Sequence, residues 1–539
     1  MGSLLPLFVA IPLGIGFLAP LAGLSRTESP LTALRILALL GALTLLVGSI
    51  LLLGQPASIH WAGQWPGPGR SSIGISLVAD GLTQTLLLTV NAVATLALLF
   101  SWSYMRRFTA QALYYCLFFI MLAGMNGVVL AGDLFNIYVF MEVAVIASYA
   151  LVAFGVERAE LEAAFKYVVL GAVSSVFILL GVGLLYNLTG HLNMALVAER
   201  LSVLPPGPAV WLAAACFIMG FGLKASMVPF HAWLPDAHPA APAPISAMLS
   251  GVLIKAAGVY VVVRLLFNVF GVTGVAGALY ADVLITLGVL SMVIGVFLAI
   301  GQWDFKRLLA YHSISQMGYV FLAVGIGAAV LAAGGPTTLA GLAIFGGLFH
   351  LVNHAAFKSL LFLCSGSAEY ATGTRDLHEL GGLKHSMPVT AGTCRIAALS
   401  IAGVPPFNGF WSKLIIVIAT AAAGYWLLAG IAVIVSFMTL LSFIKVQRYA
   451  IEGTAAPSVR EAPWPMTTAL VGLAAACLLL GVLLPLHQDR LLRPATAVLT
   501  QGHEYARQFR PPPAPVLTVA DDTDPSVVPP ATEVEESQP

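Results

Sequence analysis

Five basic side chains stand inside apolar runs: Lys224, Lys255, Lys358, Arg395 and Lys413. A charge at the centre of a bilayer costs on the order of 2.5–3.5 kcal/mol on insertion scales, so each needs a reason to be there. A long side chain near a span end can reach water, and that reading is open to Lys358 and Arg395. It does not serve Lys255, which lies deep within its run, or Lys224, central in GFGLKASMVPF. Glu142 adds a lone carboxylate in DLFNIYVFMEVAVIASYALVAF. A carboxylate in oil must be paired, protonated or hydrated, so Glu142 is either half of a structural ion pair or a titrating partner for Lys224. His350, His354 and Lys358 recur at i, i+4 and i+8, on one helical face, with Asn353 and Ser359 beside them to help hydrate it. His312, in KRLLAYHSISQMGYVF, reads equally well as a hydrogen-bonded core residue. Two histidines at i, i+4 also suit a metal, but that pattern brings a glutamate between them, and here the interval is Leu-Val-Asn. No metal site is expected. Imidazoles in file with an amine suit the passing of protons, since histidine titrates near neutral pH.

The elements that must position these groups are membrane spans. Of 539 residues, 59% are hydrophobic and 9% charged, where a soluble chain carries about 25% charged residues. A water-soluble domain of this length is excluded, and a net charge of +1 offers no field for nucleic acid. The five cysteines (Cys116, Cys216, Cys364, Cys394, Cys477) lie in apolar runs without pairing or ligand spacing. With no cysteine cluster for iron–sulfur and no nucleotide loop after a strand, no cofactor is expected in this chain. Windows of about 20 apolar residues predict fourteen spans, near 4–22, 32–54, 79–104, 112–131, 134–154, 165–187, 209–234, 243–267, 282–301, 306–327, 338–363, 387–423, 427–448 and 466–485.

Two spans are irregular. The seventh carries Pro229 in a Gly-rich stretch, and the twelfth holds Pro405 and Pro406 between Gly403 and Gly409. Such breaks are tolerated in a membrane only where buried protein or a water-filled cavity satisfies the freed backbone groups, and in transporters they mark ion sites. MVPFHAWLP and VPPFNGFW share Pro-Phe and a following Trp, which points to an internal repeat of about five helices with opposite topology. Glu142, Lys224, Lys255, His350, His354 and Lys413 would then form a polar row along the mid-plane.

The first span has no basic flank or Ala-x-Ala site and reads as retained rather than as a signal peptide. Odd-numbered loops and their flanks hold thirteen Lys and Arg; the even ones hold Arg70, Arg200 and Arg264. That asymmetry places the odd loops in the cytoplasm and both termini outside, with four more basic residues in the external C-terminal part counting against it. Residues 486–539 read as an external tail, Pro-rich and acidic from Pro511 onward and disordered.

At these residues the chain resembles the antiporter-like proton-conducting subunits of respiratory complex I, Mrp cation/proton antiporters and membrane-bound hydrogenases. FNIYVFMEV, GLKASMVPFHAWLPDAHPAAPAPISAMLSGVLIK, FKRLLAYHSISQMGY, HLVNHAAFKSLLF and GVPPFNGFWSK carry the resemblance, which spans about Gln111 to Ala450. It implies an all-α fold of about fourteen transmembrane helices. Helices 1–3 (1–110) precede two inverted five-helix repeats (111–267 and 282–450) with broken helices 7 and 12, and a last helix (466–485) follows. It also implies that Glu142 pairs with Lys224, that Lys255 is the central eighth-helix lysine, that His312, His350 and His354 are the family histidines with Lys358 extending their face, and that Lys413 follows the second break. The loop His238-Pro239-Ala240-Ala241 lacks the acidic residue many members carry there, and looks more like the hydrogenase and Mrp branches than complex I.

The expected function is proton translocation, with or without Na+ exchange, by one membrane subunit of a multisubunit energy-converting complex in the cell's inner membrane. Glu142–Lys224 would be a charge switch. When it opens, Lys224 loses its partner and passes a proton toward Lys255, along the histidines and out from Lys413. Energy would come from peripheral redox subunits or an ion gradient. The competing readings are a self-sufficient secondary antiporter, a metal-dependent membrane enzyme and a purely structural subunit.

Overall fold

The computed structural model describes residues 2–24, 28–66, 72–204, 207–453, 459–502 and 504–510. Among the described residues the regular structure is helical apart from one antiparallel hairpin. Among the described residues, twelve helices are long and apolar enough to cross a membrane. They include α1 (Leu7–Ala22), α2 (Glu28–Leu52), α3 (Gly81–Tyr104), α4 (Gln111–Leu130), α5 (Leu134–Val152) and α6 (Arg158–Thr189). After the short α7 (Met194–Val203), the seventh segment is split into α8 (Pro208–Lys224) and α9 (Leu234–Ala240). α10 (Ala243–Phe270), α11 (Gly274–Ile300), α12 (Phe305–Ala332) and α13 (Thr337–Thr372) follow. The twelfth segment is split into α14 (Pro388–Ala402) and α15 (Asn408–Ala422), before α16 (Trp426–Ile451) and α17 (Trp464–Val482).

Local chemistry sets the ends of these elements. Asp80, Asp133 and Asp304 cap α3, α5 and α12 by accepting from backbone N–H groups of the first turn. α14 ends on Gly403 at φ 81°, a left-handed position that favours glycine. Both breaks contain cis peptides, Val228–Pro229 and Pro405–Pro406. Where α11 and α12 cross, a Cβ on Gly318 would lie 2.5 Å from Met292 N and one on Gly288 2.7 Å from Leu322 N. Small residues bring the backbones together, as membrane helix packing requires.

Three features differ from the sequence expectation. First, β1 (Ser58–Pro66) and β2 (Ser72–Ala79) pair with Ser58 opposite Ala79, in a region read only as a loop. Second, the region after the last span does not begin as a disordered tail. α18 (Leu484–Leu491), α19 (Arg493–Thr500) and α20 (Glu504–Phe509) bury Leu491, Leu492, Ala495, Leu499, Tyr505 and Phe509 against the bundle. The expected acidic stretch, 511–539, lies outside the described residues. Third, Arg264 is not a loop charge. It is buried, and its guanidinium grips Asp80 at 2.6 and 2.8 Å. Asn268, one turn on, donates to Val498 O and Gly502 O, so this cluster ties α3, α10 and the C-terminal helices together.

Candidate functional site

Lys224 is the last residue of α8, held where the helix breaks. Its ammonium donates to Gly171 O (3.3 Å) and the Tyr149 hydroxyl (3.4 Å). Glu142, half-buried on α5, accepts from the Ser175 hydroxyl, which also reaches Gly171 O at 2.9 Å. The sequence reading expected a direct pair, but among the described residues Glu142 and Lys224 form no contact ion pair. They sit within electrostatic reach, linked through Ser175 and a shared carbonyl of α6. Gly171 makes room there for Tyr149, since a Cβ would fall 1.9 Å from its hydroxyl and displace it. Tyr149 packs edge-on to Tyr167, which stacks on Trp233 at 4.2 Å. Trp233 in turn donates to Leu223 O, capping the broken end of α8.

The second amine, Lys255, is wholly buried in α10, where it opens the second of two stretches of π-helix, Leu249–Leu253 and Lys255–Val259. Such widened turns gather at functional positions. Its ammonium donates to Ser250 O at 2.6 Å, and the Ser250 hydroxyl bonds that of Ser313 at 2.7 Å. α10 meets the α8 break directly, since a Cβ on Gly258 would lie 2.6 Å from Ala225 N.

On α13 the structure brings His350, His354 and Lys358 together, all fully buried. His354 and Lys358 are within electrostatic reach of Lys255. Both ring nitrogens of His354, Nε2 of His350 and the Lys358 ammonium have no hydrogen-bond partner among the described residues. Buried polar atoms are rarely left unpaired, so a file of them calls for a partner that the side chains do not supply. Lys358 does not snorkel. Arg395 does: its side chain is 51% exposed and pairs with Glu452 at 2.8 Å.

His350 Nδ1 bonds the Ser412 hydroxyl at 3.0 Å, and its ring packs on Tyr319. Lys413 lies 4.9 Å over the same Tyr319 ring and donates to Ile401 O (2.8 Å) and Ser436 (3.1 Å). Ile401 O belongs to the last turn of α14, where the break leaves carbonyls free and the helix end favours a cation. His312 bonds Ser442 at 2.8 Å and stands to one side, within electrostatic reach of Lys358 and Lys413. The two breaks are not chemically equal. Trp411, in the place of Trp233, is partly exposed, and the second break is held instead by Asn353 donating to Asn408 O at 3.0 Å.

One residue was not among the expected site. His238, on α9, is fully buried with both ring nitrogens unpartnered among the described residues, within electrostatic reach of Lys255 and Lys358. The sequence showed it only as a loop histidine between alanines and a proline. Among the described residues no group of three or more His, Cys, Asp or Glu side chains is placed to hold a metal. The histidines here face amines, a poor surrounding for a cation.

The family profile described as NADH:quinone oxidoreductase/Mrp antiporter, TM, matches residues 131–439. A second, described as NADH-ubiquinone oxidoreductase (complex I), chain 5 N-terminus, matches residues 65–115. An NADH-quinone oxidoreductase subunit of Desulforudis audaxviator is 36% identical over 467 residues, covering 85% of this chain and 89% of that one. A Na(+)/H(+) antiporter subunit of Alkalihalophilus pseudofirmus is 35% identical over 391 residues, covering 72% and 75%. In the solved structure of the Mrp complex from Dietzia sp. DQ12-45-1b, one chain superposes with a TM-score of 0.82 at 28% identity, over 94% of this chain and 99% of its own.

Proposed function

We propose, for a chain that belongs to the membrane family shared by NADH:quinone oxidoreductase and Mrp antiporters, that a hydrated file of amines and imidazoles moves protons through it. The chain is a multi-pass, proton-translocating, antiporter-like membrane subunit. The single observation that carries the route is the continuous burial of Lys224, Lys255, His354, Lys358, His350 and Lys413, with unpaired polar atoms at its middle.

In this reading Glu142 is the input. Its negative charge, acting through space across the gap that Ser175 and Gly171 O fill, stabilises the Lys224 ammonium. When that charge is drawn away, Lys224 gives its proton toward Lys255. His238 and the α13 file carry it on, and Lys413 releases it on the far side. The file is suited to H+ rather than Na+, because a row of amines repels a metal cation and offers it no carboxylate cage. Na+, where exchanged, would pass elsewhere in the assembly. The chain's own part needs no cofactor. Partners in the membrane are supported by the Mrp complex to which the chain is similar and by Glu142, a carboxylate left half-exposed in mid-span. Peripheral redox subunits or an ion gradient would supply the energy. The asymmetry of Lys and Arg supports an inner-membrane orientation with both termini outside.

The test is proton pumping by the assembled complex in vesicles carrying Lys224→Ala or Glu142→Gln. Both should pump far less than the parent. Undiminished pumping in both refutes the switch.

A further inference from the structure

The file described so far has no connection to the side from which protons arrive. On α13 the residues beyond Lys358 continue its face. Phe362, Ser365 and Glu369 follow at +4, +7 and +11, within about 40° of Lys358 around the helix at ~100° per residue. Glu369 lies at the end of α13 that meets Arg107, Lys306 and Arg375, the basic side of the molecule. Its side chain is 22% exposed and pairs at 3.0 Å with Lys306, itself buried. Arg375 stands 3.8 Å away, and the Arg107 guanidinium lies over the ring of the neighbouring Tyr104.

Between this mouth and Lys358, on the same face, the hydroxyl of Ser365 is buried without a partner among the described residues. That is unusual for helical serines, which bond the carbonyl one turn back, as Ser49, Ser101 and Ser313 do here. Lys306 also donates to Ala241 O, and Ser246 donates to both His238 O and Ala241 O, so the end of α9 that carries His238 is bonded to the same mouth. One apolar group interrupts the column. The Phe362 ring lies 5.9 Å from the Lys358 ammonium and 5.8 Å from the His238 ring, between Ser365 and the amines.

We propose that this column is the uptake route, with the Lys306–Glu369 pair as its mouth and Phe362 as an apolar shutter above His238 and Lys358. Glu369 offsets Lys306 and Arg375, which would otherwise repel an incoming proton. Phe362 keeps the column dry until its ring turns aside, which prevents protons from leaking back. This rests on the reading of the file as a proton path, so the test separates the two.

Proton uptake from the basic side is timed in sealed vesicles holding the intact complex and an internal pH dye, with complex assembly checked for each variant. Glu369→Gln should slow uptake at least about fivefold, the effect of leaving a buried ammonium without its counter-charge. Glu369→Asp should restore it, which loss of a merely structural contact would not predict. Phe362→Trp should slow uptake likewise, and Phe362→Ala should not. Lys255→Met serves as the control on the file. If it stops transport while Glu369→Gln and Phe362→Trp stay within about twofold of the parent, the uptake route is overturned and the file stands. If Lys255→Met also transports freely, the file itself falls.

Discussion

Lys255→Met removes the amine at the centre of the file and keeps most of its volume. Lys255 is fully buried, bonds only Ser250 O among the described residues, and is within electrostatic reach of His238, His350, His354 and Lys358. Without it, a proton leaving Lys224 has to reach the α13 histidines as a bare charge in the bilayer interior. Such a charge costs ~2.5–3.5 kcal/mol at mid-membrane, and at ~1.36 kcal/mol per decade that slows passage roughly 70- to 400-fold. The fold itself should survive, because methionine fills the cavity and one hydrogen bond to a carbonyl is worth only about 1 kcal/mol. The assay is proton translocation by the complex in vesicles, with assembly and melting temperature measured alongside. A Lys255→Met complex that assembles normally and moves protons within twofold of the parent would refute the reasoning.

Two further outcomes follow from groups outside the file. Breaking the Asp80–Arg264 clamp with Asp80→Asn should cost ~3–5 kcal/mol, because it strands a buried guanidinium, whereas replacing both partners by apolar residues should cost far less; thermal melts in detergent compare the two. Burial alone would push the Asp80 carboxyl up, but the Arg264 guanidinium and the Thr83 N–H outweigh it and hold it below the usual carboxylate range. The clamp's stabilisation is therefore complete above about pH 4 and is lost as pH falls through the lowered folded-state value. Asp80→Asn should flatten that acid limb of the melting profile, and an unchanged limb counts against the assignment. Gly258→Ala would set a Cβ 2.6 Å from Ala225 N, where backbone cannot yield. It should cost about 1–3 kcal/mol and slow proton transport by shifting the α8 break, and an unaltered melt and rate would show that the crossing is looser than described.

The amines and the breaks were legible because each violates a strong rule: a charge in oil, or a proline in a span. The residues that join them break no rule. Ser175 and Gly171 are ordinary on a membrane helix, and only the fold shows that they stand between Glu142 and Lys224. His238 was seen in its motif, but its meeting with Lys255 and Lys358 depends on how α9 turns back into the bundle. Asp80 and Arg264 are 184 residues apart, so Arg264 counted only as a charge of a loop or span end and Asp80 drew no reading. The hairpin and the helices at 484–509 fell below a window tuned to long apolar runs. Their information lay in short patterns, such as alternating Ile73, Ile75 and Leu77, that hydropathy averages away.

The contrast between the clamp and the file explains why the file uses lysine and why it follows irregular backbone. Arg264 is gripped by a carboxylate and cannot give up its proton, so the pair is a fixed structural charge. Lys255 and Lys413 each take a backbone carbonyl instead, Ser250 O beside π-turns and Ile401 O at a helix break, and Lys224 takes Gly171 O at the other break. A neutral carbonyl accepts from an ammonium and from an amine alike, so a lysine held this way can lose its proton without stranding a buried anion. A carboxylate in direct contact would pin each ammonium and stop the file. Glu142 keeps its distance behind Ser175, near enough to bias Lys224 and too far to lock it. In the proposed route, the breaks and widened turns would thus let these amines lie buried and still exchange protons.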